Sequence, residues 1–168
     1  MSDVLIRALQ PADWESFREL RLHALRTEPG KFFAAHADEV DKPPEQWRQT
    51  IAGPDHQVFG LHDVARLVGI TAAFTWREDP SGQTAILAMS FIRPEYRGKG
   101  LSNLLYQARL DWIRAQPQFK RIVVSHRESN DASRKAIHSH GFVFVKRTSR
   151  TWPDGATEDE LSYELRLK

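Results

Sequence analysis

The stretch Ile92-Arg93-Pro94-Glu95-Tyr96-Arg97-Gly98-Lys99-Gly100-Leu101-Ser102-Asn103 holds the residues best suited to chemistry. It leaves an apolar run, passes two glycines and enters a stretch of helical spacing. The first amides of a helix have no internal partner, and the helix dipole adds partial positive charge there. Glycines let such a backbone approach a ligand with no Cβ in the way. Arg93, Arg97 and Lys99 add full positive charges. The combination suits a phosphate or a pyrophosphate. It is not a Walker A loop, which needs four residues between its first Gly and Gly-Lys-Ser/Thr, nor the dinucleotide-binding glycine pattern. Taken alone, Arg-Gly-Lys-Gly also describes a basic surface turn that caps a helix and binds nothing.

The elements that must position this stretch follow from periodicity. Residues 4–8 read as a strand, and Gln10-Pro11-Ala12-Asp13 opens a helix carrying Phe17, Leu20, Ala24 and Leu25 at helical spacing. Residues 28–46 read as a loop with a short helix start. Pro43-Pro44-Glu45 begins a further helix that Gly53-Pro54 ends. Residues 57–62, 67–76 and 84–92 read as strands, the last two joined by the turn Asp79-Pro80-Ser81-Gly82. From Gly100 to about Ala115 the helical period returns, with Leu101, Leu104, Leu105, Ala108 and Trp112 on one stripe. Residues 121–125 form a short strand and 130–138 a short helix. Two strands, 142–148 and 161–167, close the chain around Trp152-Pro153-Asp154-Gly155. The order β-α-α-β-β-β-α-β-α-β-β requires both parallel and antiparallel pairing, which a mixed sheet with helices on its faces satisfies.

A chain of 168 residues fits one domain, with enough length for a core that needs no staple. It contains no Cys, which excludes disulfides, Cys-based metal sites and a thiolate nucleophile. His138 and His140 stand two apart at a helix end, so their side chains diverge and no metal site is expected. The formal charge is +2, but residues 114–150 hold nine Lys/Arg against two acids, and 151–168 hold two against five. That places the basic excess after the glycine turn. The even total and the absence of a recognition signature argue against a nucleic-acid binder. No apolar run approaches a membrane span of roughly 20 residues, and the first residues lack a signal-peptide core. A soluble, cytoplasmic protein is expected.

The strand, turn and helix around Arg97-x-x-Gly100-x-Ser102 closely resemble motif A of the GNAT N-acetyltransferase superfamily, Arg/Gln-x-x-Gly-x-Gly/Ala. Asn130-Asp131-Ala132-Ser133, followed by Gly141-Phe142, resembles the family's second motif. Residues 20–25 with Pro29 and Phe32 resemble the opening of many bacterial members, so the resemblance covers nearly the whole chain. It implies one GNAT domain over residues 1–168, an α/β (α+β) fold with a mixed, mostly antiparallel central sheet flanked by helices. It implies acetyl-CoA as cosubstrate, no metal, and a small-molecule or peptide amine as partner, with a homodimer as the assembly to consider. Carried over residue by residue, Phe91 and Ile92 would offer backbone bonds to the pantetheine arm. The amides of Gly98, Lys99, Gly100, Leu101, Ser102 and Asn103, with the Arg97 and Lys99 side chains, would hold the pyrophosphate. Asn130 and Ser133 would contact the cofactor from the next helix, whereas Arg134 and Lys135 read as a solvated helix face.

Two departures bear on mechanism. Ser102 stands where the family prefers Gly or Ala. Ile137 stands where many members carry the Tyr that protonates the leaving thiolate, and residues 84–92 lack the carboxylate that many members use as base. His126, His138 and Ser90 remain as candidate catalytic groups; histidine titrates near neutral pH and can serve either proton role. Without a Cys, direct transfer in a ternary complex is the remaining path. Aromatics and carboxylates in the acceptor regions, among them Trp14, Phe32, Phe33, Trp47, Trp152, Glu28, Asp38 and Asp154, could receive a cationic amine or simply pack and solvate the surface. Beside an N-acetyltransferase, the pattern also fits a non-catalytic acyl-CoA-binding module.

Overall fold

A computed structural model describes residues 3–168. Strand β1 (Val4–Ala8) leads through a 3-10 turn into α1 (Trp14–Thr27), α2 (His36–Glu39) and α3 (Pro44–Ile51). Pro11 and Pro44 each sit in a first helical turn, where a missing N–H costs nothing. The strands β2 (Ala52–Gly53), β3 (His56–Asp63), β4 (Arg66–Thr75) and β5 (Thr84–Ile92) follow. Then come α4 (Ser102–Arg114), β6 (Arg121–Arg127), α5 (Asp131–Ser139), β7 (Val143–Thr151) and β8 (Thr157–Arg166).

The strands form one sheet in the order β1-β3-β4-β5-β6-β8-β7, with β2 paired to β3. Every pairing is antiparallel except β5 with β6. On one face, Phe17, Leu20 and Ala24 of α1 and Trp47 and Ile51 of α3 pack on Val58, Ile70, Ala72 and Phe91. On the other, Tyr106, Leu110 and Ile113 of α4 and Ile137 of α5 pack on Leu87, Ile122, Val124, Leu161 and Tyr163.

The parallel pair is short. Thr84, Ala85 and Ile86 pair with Arg121, Ile122 and Val123, after which β5 pairs with β4 alone and β6 with β8 alone. The two strands therefore part toward their C-terminal ends. A bulge in β5 accompanies the parting: Ile70 opposes Phe91 while Ala72 opposes Ala88, so one strand carries an extra residue. Met89 absorbs it at φ 64, a left-handed conformation that only surrounding structure can impose on a non-glycine.

Three expectations need correction. The buried stripe of α4 is Leu105, Tyr106, Arg109, Leu110 and Ile113, whereas Leu104 is exposed. The helix is thus turned relative to the apolar pattern, because a cation, Arg109, occupies a core position. The basic excess of residues 114–150 is not left free for a polyanion. Arg121 pairs with Asp79 and Glu164, Arg127 with Asp154 and Glu158, Arg147 with Glu128 and Asp159, and Arg150 with Glu160. Acids of β8 thus neutralise much of it. Finally, Ala52 and Gly53 do more than end a helix; they pair with Gln57 and His56 as β2.

Candidate active site

The turn after β5 is open. A 3-10 turn at Pro94–Tyr96 precedes it, and Gly98 and Gly100 both stand at φ 76. No heavy atom lies within 4 Å of a Cβ built on either glycine. Their requirement is therefore backbone conformation, with free space above it. Among the described residues, the amides of Gly98, Lys99, Gly100, Leu101 and Ser102 donate to no protein acceptor. Asn103 differs from its expected role, since its amide is already spent on the Gly100 carbonyl at 3.2 Å. A chain of unpartnered amides at the start of α4, with room above the glycines, fits a pyrophosphate. Lys99 sets its ammonium 5.4 Å from the Tyr96 ring, beside the turn.

Arg97 is not simply a free cation. Its Nε donates to the Ile92 carbonyl at 2.7 Å, and its two terminal nitrogens grip both oxygens of Glu28 at 2.9 and 3.1 Å. Ile92, expected to offer its backbone to a ligand, thus already accepts one bond from Arg97. Phe91 is buried against α1, where His23 meets its ring edge-on, and Arg97 lies over it at 5.2 Å. Burial works against the charge of the Glu28 carboxylate, but its bonds to Arg97 and Lys31 outweigh this and hold it below the usual range.

Glu28 starts a strap, residues 28–35, that crosses the open end of the β5–β6 gap. On the far side, Arg127 at the end of β6 donates to the Gly30 carbonyl at 2.9 Å and to Asp154 at 2.6 Å. Its Nε donates to Glu158 at 2.7 Å, and Glu158 also accepts from the Ser129 amide. Phe33 stacks on Trp152 at 5.2 Å, and Arg150 lies over the Phe33 ring at 4.3 Å. The strap residues Glu28, Gly30 and Lys31, with Arg127, Asn130 and Asp154 among others, line an open pocket of about 370 Å³.

Asn130 caps α5: its Oδ1 accepts from the Ser133 amide at 3.2 Å. Asn130 also lines this pocket. Arg134 donates to the Glu128 carbonyl and pairs with Asp131, as a helix-surface residue would.

The acid–base candidates separate into two places. Ser90 sits at the β5 bulge with its Oγ 2.7 Å from Thr71 Oγ1, and it touches neither histidine. His126 and His138 converge instead on Tyr163 of β8. His126 Nδ1 donates to the Arg127 carbonyl at 2.6 Å, which makes Nε2 the acceptor of the Tyr163 hydroxyl at 2.9 Å. Burial, the largest influence, pulls the His126 pKa below its usual value. His138 is exposed and meets the Tyr163 ring edge-on at 5.4 Å. Ile137 is fully buried in the same cluster. Tyr163 lies in the strand expected over residues 161–167, and nothing in the sequence there signals a role for its hydroxyl.

The mixed sheet thus has one short, parting parallel pair with an open-amide turn at the mouth of that parting. The sequence matches the model of the acetyltransferase (GNAT) family over residues 12–142, and the chain belongs to that family. No curated relative matches it. Among solved structures it resembles a GNAT-family acetyltransferase from Streptococcus pneumoniae, with a TM-score of 0.83 at 17% identity over 98% of this chain and 100% of that one. It also resembles yncA, a putative acetyltransferase from Salmonella typhimurium solved with its cofactor acetyl-CoA. There the TM-score is 0.82 at 21% identity, over 99% and 95% of the two chains. RimL, a ribosomal L7/L12 alpha-N-protein acetyltransferase in complex with coenzyme A, gives 0.77 at 14% identity over 98% and 94%. These likenesses establish the mixed, mostly antiparallel fold. No helix among the described residues is long and apolar enough to cross a membrane.

Proposed function

We propose that the protein is an acetyl-CoA-dependent N-acetyltransferase that moves the acetyl group directly to a primary amine in a ternary complex. The observation that carries this is the run of open amides from Gly98 to Ser102 at the mouth of the β5–β6 parting. Acetyl-CoA would supply the activated thioester. The five amides and Lys99 would hold its pyrophosphate, and the unpaired edge of β5 around Phe91 and Ile92 would align its arm. Asn130 would reach the arm through its free NH2, with Ser133 beside it on α5.

The chain's own residues must also manage protons. The amine has to be neutral to attack, and the departing thiolate needs a proton. Ile137 supplies neither. The Tyr163–His126 pair, whose Tyr163 ring meets His138 of the second motif, is the candidate proton-transfer group on that side, and Ser90 is the hydroxyl at the bulge. With His126 neutral its Nε2 carries no proton, so the Tyr163 hydroxyl would pass its own proton to Nε2 while taking one from the amine, and the imidazolium so formed would return that proton through the hydroxyl to the departing thiolate. Holding both substrates in one cleft supplies much of the remaining acceleration.

A second reading, an acyl-CoA-binding module without turnover, is favoured by two observations: Ile137 is buried and β5 carries no carboxylate. The same experiment separates the two. Acetyl-CoA should raise the melting temperature, since a ligand of the native state stabilises it. A panel of amino acids, polyamines, aminoglycosides and peptide N-termini should then release free CoA thiol with at least one acceptor. A thermal shift with no release across the panel supports the module.

A further inference from the structure

Three cations stand in residues 93–99, and their surroundings differ. Arg93 donates through Nε to the Leu67 carbonyl at 3.2 Å and lies 4.0 Å from Glu19. Arg97 is held by the Ile92 carbonyl and by both oxygens of Glu28. Among the described residues Lys99 has no acidic partner and no side-chain hydrogen bond, and its ammonium stands 5.4 Å from the centre of the Tyr96 ring. An aromatic ring attracts a cation through its quadrupole and carries no net charge. Lys99 is thus given a place without being neutralised.

The ring is itself held firmly. It packs against Leu61, Val68 and Leu105. Its hydroxyl donates to Asp63, at the end of β3, at 2.5 Å. The Tyr96 amide closes the 3-10 turn on the Arg93 carbonyl at 2.8 Å. Next to it, Glu95 lies 3.6 Å from Arg66, the first residue of β4.

We propose that Tyr96 is a positioning residue whose ring holds the Lys99 ammonium beside the open amides of 98–102, ready for a pyrophosphate. The inference rests on the acetyl-CoA reading above and adds the residue that places the cation. A lysine side chain has many rotamers, and freezing them on binding opposes affinity. Against the ring that restriction exists before the ligand arrives. The ammonium has three N–H groups, so it keeps the ring on one side and donates to phosphate oxygens on the other. An acid in the place of the ring would also fix Lys99, but it would repel the diphosphate.

Calorimetric titration of the full chain with acetyl-CoA tests this. Lys99→Met should bind about tenfold more weakly, having lost a charge-assisted bond. Tyr96→Leu, which keeps an apolar side chain in the cluster, should bind about two- to fivefold more weakly, the worth of an exposed cation–ring contact. Tyr96→Phe keeps the ring and should recover most of that loss. Adding Tyr96→Leu to Lys99→Met should weaken binding no further, because the ring acts through the ammonium. A role confined to folding the turn gives the opposite result, a Tyr96→Leu loss that persists without Lys99. Such persistence overturns the proposal. So does wild-type affinity in Tyr96→Leu or in Lys99→Met, or a Tyr96→Phe as weak as Tyr96→Leu. In each of these cases the wild type still binds acetyl-CoA and that reading stands; no binding by the wild type overturns both. Proton NMR of the wild type depends on no variant folding. The Lys99 ε-methylene protons should lie upfield of ordinary lysine values through the ring current of Tyr96, and ordinary values would overturn the contact.

Discussion

Replacing Gly98 or Gly100 by Ala separates what the turn costs from what it does. Both residues stand at φ 76, where an L-residue is penalised by about 1–2 kcal/mol. No atom lies within 4 Å of either added Cβ, so sterics in the free protein add nothing to that penalty. For a chain of this size each kcal/mol lowers Tm by about 2–4 °C, so each variant should melt about 2–8 °C lower. Gly82 provides the control. It has φ 71 and equally open space, and it lies in the β4–β5 turn. Gly82→Ala should lose the same stability. Acetyl-CoA binding should divide the variants. In Gly100→Ala the methyl occupies space above the open amides, and relief of the strain rotates them. Losing one charge-assisted hydrogen bond, about 1.5–3 kcal/mol, weakens binding roughly tenfold or more. Calorimetric titration of the three variants reads this directly. Wild-type affinity in both Gly98→Ala and Gly100→Ala, or an equal loss in Gly82→Ala, would refute the placement of the site.

Two other outcomes follow from buried groups. Arg109 is 2% exposed, donates to the Leu105 carbonyl and lies 4.5 Å from the Tyr106 ring, with no carboxylate partner among the described residues. Burial pushes its pKa down to about 10, a depression of order 3 kcal/mol against the charged form. Arg109→Met should therefore stabilise the fold by about 1–3 kcal/mol, seen as a higher denaturant midpoint with unchanged slope; a loss above about 1 kcal/mol would mean that the bond to Leu105 and the packing on Tyr106 outweigh the cost of burying the cation. His126 is held below its usual pKa by burial, so the folded state binds fewer protons than the unfolded chain as pH falls through about 6.5. Stability should fall with pH across that window, and His126→Gln should remove this part of the acid sensitivity.

Legibility in the sequence differed by the kind of signal. Hydrophobic period placed α1 well, because Phe17, Leu20, Ala24 and Leu25 are all buried, and the cation buried beside them, Arg21, is paired with Glu39. Glycine spacing located the turn, because φ 76 at Gly98 and Gly100 is a local requirement that residue type reports. The α4 stripe was misread because Arg109 is charged, and its burial depends on tertiary packing with Tyr106. The basic segment 114–150 looked available because charge counts carry no register. The antiparallel pairings of β8 with β6 and with β7 set its cations beside acids of β8. The same holds for the site. Glu28 and Arg97 are 69 residues apart, and Tyr163 and His126 are 37 apart. Neither spacing announces a contact.

The central claim is that the amides of Gly98 to Ser102 receive the pyrophosphate of acetyl-CoA. Amide chemical shifts in a titration with acetyl-CoA test it most directly. The largest changes should fall on Gly98, Lys99, Gly100, Leu101 and Ser102, with downfield movement as each N–H gains an acceptor, while Gly82 stays still. Largest changes elsewhere, with these five amides unmoved at saturation, would contradict it.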